Sequence, residues 1–162
     1  MSKRIVPFRM YPSGWFLFIF CVLIGIRIGG SHYGPIIGLM LIGSLLLHEL
    51  GHMLIAVILH VPVREFGLTF AGAYNRRAYA TRRRDELLIS IAGPLTNLAL
   101  VFPLMFVPHV GSLVAACNLM LGAVNLLPIP SSDGLRILRM IRHTGTPVDI
   151  AFGLNASRTP SV

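Results

Sequence analysis

Apolar positions in this chain do not alternate with polar ones; they gather into four long blocks separated by short polar stretches. The blocks run from about Gly14 to Gly30, Pro35 to Val61, Leu87 to Val107 and Val110 to Leu127. A helix needs about 20 apolar residues to cross the hydrocarbon core, with about 17 as a lower limit. The pattern therefore predicts four crossings, the first and fourth near that limit and the second beyond it. The rival for the first block is a signal peptide, because Lys3 and Arg4 precede it. Its length, and the poor cleavage sequence Gly29-Gly30-Ser31-His32, favour a true span. Between the second and third blocks the period changes. Val63, Phe66, Leu68 and Phe70 alternate roughly, with Gly67 and Gly72 as bend points, which predicts a short strand or hairpin. The fold class expected is an all-α polytopic membrane protein of about four transmembrane helices, with a β hairpin or strand in the loop after the second block.

Composition agrees with lipid as the solvent. Hydrophobic residues make up 54% and charged residues 12%, against about 25% charged in soluble domains. The net charge of +8 does not predict nucleic-acid binding, because long charge-poor blocks separate the basic clusters. Those clusters instead set an orientation. Lys3, Arg4 and Arg9 precede block one; Arg64, Arg76, Arg77, Arg82, Arg83 and Arg84 follow block two; Arg136, Arg139, Arg142 and Arg158 follow block four. With four spans all three segments share one side, which the positive-inside rule makes the cytoplasm, so both termini are expected there, in a prokaryotic cell membrane. Arg27 lies near the outer end of block one and can snorkel. The run from Arg76 to Arg84 suits anionic headgroups. Cys21 and Cys117 stand alone in apolar runs and read as filler. Residues 1–143 are expected to form one membrane domain, and 144–162 a polar, loosely ordered tail. In that tail Asn155-Ala156-Ser157 matches the glycosylation pattern, which a cytoplasmic segment would not use.

The chemistry concentrates in block two. His48-Glu49-Leu50-Gly51-His52 matches H-E-x-x-H. Positions four apart share one helix face, so two imidazoles can hold one Zn²⁺. Glu49 is offset by about 100° and flanks the metal as a base rather than a ligand. Zinc lowers the pKa of a water toward about 7, and the carboxylate takes its proton. The alternative is a polar cluster that packs helices together, but a charge at mid-bilayer costs about 2.5–3.5 kcal/mol on insertion scales. A catalytic zinc needs a third protein ligand. Of the six acidic residues, Glu65, Asp85 and Glu86 lie in the basic loop and Asp149 in the tail. Asp133 stands after the proline turn Asn125-Leu126-Leu127-Pro128-Ile129-Pro130, where free carbonyls require protein or a water-filled cavity beside them. It could also serve as a helix cap. Blocks two and four both end on the cytoplasmic side, so His52 and Asp133 can meet. The other four histidines, His32, His60, His109 and His143, have no companion at ligand spacing.

His48-Glu49-Leu50-Gly51-His52, Ala92-Gly93-Pro94-Leu95-Thr96-Asn97 and Asn125-x-x-Pro128-x-Pro130-x-x-Asp133-Gly134 together resemble the site-2 protease family of intramembrane zinc metalloproteases, in the family's order and over residues 35–140. The resemblance implies one Zn²⁺ on His48, His52 and Asp133, with Glu49 as general base. It also implies that Asn97 and Asn125 line the site as donors to substrate; helix–helix hydrogen bonding is the other role open to them. Leu135 replaces a glycine common in the family, the spans number about four where many relatives have six, and no appended PDZ or CBS domain is expected.

The function this implies is hydrolysis of peptide bonds in transmembrane or membrane-proximal segments of membrane proteins. A non-catalytic zinc scaffold would have little reason to keep Glu49. A metal transporter would need polar residues in the outer half of the bundle, where blocks two to four have almost none. The partners expected are a membrane-protein substrate and the bilayer, and no oligomeric state follows. A helical substrate must unwind to be cut, and its freed backbone needs new partners. The segment from Leu68 to Tyr74 is expected to supply them as a strand edge, with Leu68, Phe70 and Gly72 at the substrate.

Overall fold

The computed structural model describes residues 6–143 and 145–152. Lys3, Arg4, Arg158 and the 155–157 glycosylation pattern lie outside the described residues. The elements run β1 (Phe8–Met10), α1 (Pro12–Ile58), β2 (Val63–Thr69), β3 (Gly72–Arg77), α2 (Arg83–Leu104), α3 (Gly111–Leu126), α4 (Asp133–Arg142) and α5 (Pro147–Phe152). Of these, α1 and α2 are long and apolar enough to cross a membrane. The segment expected as a loose tail begins with α5.

The first two apolar blocks fall within α1, which breaks at Gly30 (φ 68°, ψ −174°). That backbone conformation costs a side-chain-bearing residue energy and glycine none. The chain reverses there, and arms 12–29 and 31–58 run antiparallel. A Cβ on Gly38 would lie 2.6 Å from the Val22 Cα, and one on Gly25 would lie 2.8 Å from the Gly38 amide nitrogen. Small residues thus let the two backbones touch, the way helices associate where lipid offers no hydrophobic drive between them.

The strand prediction holds, and the sheet is larger than expected. Its order is β1-β2-β3, with β1 parallel to β2 and β2 antiparallel to β3. Phe8 pairs with Phe66 and Met10 with Leu68, while Leu68 also faces Ala73. Residues 70 and 71 make the two-residue turn between β2 and β3. The sheet packs against both arms of α1, since Leu68 is buried with Cys21 and Ile42 and flanked by Leu17 and Leu46. The hairpin therefore lies alongside the helix that carries His48.

α2 begins with Asp85 and Glu86 in its first turn, where carboxylates suit the helix dipole. Glu86 is fully buried and takes both Arg77 guanidinium nitrogens, at 2.7 and 2.9 Å, and the Ala80 amide at 2.9 Å. This clamp fixes the turn from β3 into α2. α2 packs between α1 and α3. The 16 residues of α3 rise about 24 Å, short of a hydrocarbon core of about 30 Å. α4 is amphipathic. Ser132, not Asp133, caps it, accepting from the Leu135 amide at 3.1 Å. Arg83 at the start of α2 donates to the terminal carbonyls of α4, at Ile141 (3.2 Å) and His143 (3.0 Å), and holds that helix against the bundle.

Candidate metal centre

The α1–α2 contact is built around two missing side chains. A Cβ on Gly93 would collide with the His52 imidazole, and one on Gly51 with Thr96 and the Ala92 carbonyl. This close approach lets α2 reach both histidine rings from behind. His52 Nδ1 lies 2.6 Å from the Ile89 carbonyl oxygen, which can only accept, so Nδ1 carries the proton. His48 Nδ1 lies 2.5 Å from Asn97 Oδ1 and donates to it in the same way. Both Nε2 atoms are thereby left as lone pairs, aimed at one point.

The Pro128–Pro130 turn brings Asp133 to that point. Its Oδ2 lies 3.2 Å from His48 Nε2 and 3.1 Å from His52 Nε2, and the two Nε2 atoms are 3.2 Å apart. Three acceptors packed this closely repel one another unless a cation sits among them. Atoms on a tetrahedron about 2.0–2.1 Å from zinc are about 3.3–3.4 Å apart, so the set fits that ion.

Glu49, one residue from His48, turns toward β3, where the Asn75 side-chain amide donates to its Oε2. His48, Glu49 and His52 also place one potential ligand atom each within 4.8 Å of one another. These residues, with Asn125, Asp133 and Arg136, line an open cavity of about 190 Å³ walled on the other side by β3 residues 73–75.

Asn97 is fully buried, and its side chain is satisfied by protein. Its Oδ1 receives His48, and its Nδ2 donates to Asn118 Oδ1 at 2.9 Å and the Ser44 carbonyl at 3.3 Å. Asn118 in turn donates to Ser44 Oγ at 2.8 Å and the Val114 carbonyl at 2.9 Å. Of the two roles open to Asn97, these contacts are of the helix–helix kind, and one of them reaches His48. Asn125 does face the cavity, its Nδ2 held at 2.9 Å by the Leu121 carbonyl. Leu68 needs correction. It lies in the central strand, with β1 on one side and β3 on the other, and is 2% exposed, so it has no free edge for another chain. Phe70 is exposed at the hairpin tip and Gly72 opens β3 at φ 128°; neither lines the cavity. Sequence reasoning missed Asn118, although a buried amide in an apolar block is a signal in itself. It also missed Asn75 and Arg136, whose placement depends on register and on the packing of α4.

Residues 36–112 match peptidase family M50. The chain is 31% identical over 147 residues to a zinc metalloprotease of Methanocaldococcus jannaschii, covering 84% of this chain and 42% of that protein. It is 30% identical over 160 residues to stage IV sporulation protein FB of Bacillus subtilis, covering 93% of this chain and 53% of that protein. The chain thus spans about half the length of these curated relatives. Its fold superposes on a site-2 protease from Methanocaldococcus jannaschii with a TM-score of 0.67 and 27% identity, over 87% of this chain and 69% of that one. Motifs, fold and relatives agree, and the chain belongs to peptidase family M50, the site-2 protease family of zinc metalloproteases.

Proposed function

We propose that this protein hydrolyses peptide bonds in transmembrane or membrane-proximal segments of membrane proteins, with one zinc on His48, His52 and Asp133 and with Glu49 as general base. The observation that carries the reading is the convergence of two Nε2 atoms and one carboxylate oxygen at 3.1–3.2 Å beside Glu49, in an open polar cavity. Zinc held there supplies Lewis acidity, acidifying water and polarising a carbonyl. Asp133 suits the third ligand position because its oxygen already meets both histidines, whereas Glu49 is drawn aside by Asn75. From that position Glu49 can take a proton from water and pass it to the leaving nitrogen. Asn75 holds the carboxylate toward the cavity without occupying both of its oxygens.

On this reading the two arms of α1, with α2 and the shorter apolar α3, would make four crossings. The basic segments Arg76 to Arg84 and Arg136 to Arg142 then share one side, the cytoplasm of a prokaryotic cell, as would both termini. A substrate segment unwound at the metal would meet β3, an edge strand that walls the cavity. Its free edge, rather than Leu68 in β2, offers main-chain partners to the unwound backbone.

The test is direct. The protein is purified in detergent, its zinc is measured, and single-span substrates are incubated with and without a chelator. Cleavage that tracks zinc content supports the reading, and a zinc-loaded protein that cuts none of a broad panel refutes it.

A further inference from the structure

Three cavities meet at Arg136. The first is the metal cavity itself, of about 190 Å³. The second, of about 270 Å³, runs beside β3 from Asn75 to Tyr79. The third, of about 140 Å³, lies over α4 between Tyr79 and Arg139. Asn75 and Arg136 line both the first and the second, and Tyr79 and Arg136 both the second and the third. A groove therefore leaves the metal along β3 and bends over α4, and Arg136 lines its whole length.

The charge along that groove has one sign. Past the metal cavity its walls carry Arg76, Arg77, Arg136 and Arg139 and no carboxylate. Two of these guanidinium groups are engaged: Arg77 holds Glu86 at 2.7 Å, and Arg76 lies 3.4 Å from Glu65. Arg136 is exposed and, among the described residues, its guanidinium makes no hydrogen bond or ion pair; only its backbone amide is engaged, by the Ser132 carbonyl at 3.4 Å. The carboxylate that feels its charge, Glu86, is already filled by Arg77 and the Ala80 amide. Arg136 stands three residues after Asp133, on the same face of α4.

We propose that Arg136 determines specificity by binding an acidic side chain of the substrate, in the flank that runs from the scissile bond along β3 and over α4. This rests on the protease reading above. A planar guanidinium matches a carboxylate with two parallel hydrogen bonds, which a fixed position beside the metal turns into selection of one substrate register. An anionic lipid headgroup would meet the same chemistry. The location favours peptide, because Arg136 shares a cavity with Glu49 and the histidines, whereas Arg82, Arg84 and Arg142 lie outside the groove walls.

The test uses zinc-loaded Glu49→Gln protein, which should bind substrate without cutting it. Fluorescent single-span peptides carry Asp or Asn at each position of the cytoplasmic flank in turn, and binding is read by anisotropy. At one position Asp should tighten binding about tenfold over Asn. Adding Arg136→Gln should bring that ratio to about one, and Arg136→Glu should reverse it in favour of Lys at the same position. Arg142→Gln, a charge loss outside the groove, should leave the ratio intact. Equal binding of all Asp and Asn peptides, or a ratio that survives Arg136→Gln, would overturn the proposal. So would Arg136→Gln weakening binding to phosphatidylglycerol vesicles while leaving the peptide ratio untouched. Parent protein with Glu49 intact separates the two readings. An Arg136-dependent Asp preference with no cleavage of any peptide would sink the protease reading alone. Cleavage of every flank at one rate, with equal binding, would sink the Arg136 proposal alone.

Discussion

The two walls of the metal cavity are built on opposite terms. On the α2 side, the polar groups behind the histidines are closed into protein: Ile89 holds His52, Asn97 holds His48, and Asn118 and Ser44 hold Asn97. On the β3 and α4 side, an edge strand and Arg136 keep hydrogen-bonding capacity open toward the cavity. A metal site gains from ligands that cannot turn, and a site for unwound peptide gains from groups still able to accept a partner. Mutations on the first wall should therefore register in zinc affinity, and changes on the second in substrate handling with zinc unchanged.

The largest effect should come from His52→Ala, which removes a ligand and leaves the Ile89 carbonyl without its donor. Zinc content and cleavage should both disappear, as read by metal analysis and substrate gels. Retained zinc would place the metal elsewhere.

Next is the clamp that joins the walls. Arg77→Ala leaves buried Glu86 without its partner, at a cost of about 3–5 kcal/mol. A marked fall in melting temperature in detergent should follow, and an unchanged melting temperature would show that the turn is held by other contacts.

Asn97→Ala tests the contrast itself. An orienting role predicts a loss of about 10–100-fold in zinc affinity, measured by competition with a chelator. A substrate-contacting role predicts normal zinc affinity and a raised KM.

The smallest effect belongs to the strand edge. Backbone N-methylation of a substrate near its cut site deletes one main-chain donor, worth about three- to tenfold in kcat/KM. Helix-breaking Gly or Pro at the same place should speed cleavage. If neither change moves the rate, substrate pairing on β3 is wrong.

The same contrast marks what could be read from the sequence. His48, Glu49 and His52 were legible because helix periodicity alone brings them together, and Asp133 because Pro128 and Pro130 bar a regular helix at membrane depth. The Gly93–Asn97 element was legible as a pattern. Its work was not, since only the packed interface shows Gly93 making room for His52 while Asn97 turns to His48. A strand after the second block could be seen in the alternation from Val63 to Phe70, but its place in the sheet could not. β1, three residues from a distant part of the chain, pairs with β2 and makes it the central strand. That pairing closes the edge at Leu68 and leaves β3 as the edge strand on the other side, while the β2–β3 register, with Asn75 opposite Phe66, sets the Asn75 contact with Glu49, which no sequence spacing encodes.

The central claim is that Asp133 closes the metal site while Glu49 stays outside it as the base. Zinc stoichiometry and cleavage, measured side by side on Glu49→Gln and Asp133→Ala, test it most directly. The account predicts about one zinc per chain and no cleavage for Glu49→Gln, and loss of both zinc and cleavage for Asp133→Ala. Zinc lost from Glu49→Gln but retained by Asp133→Ala would contradict it and make the glutamate the third ligand.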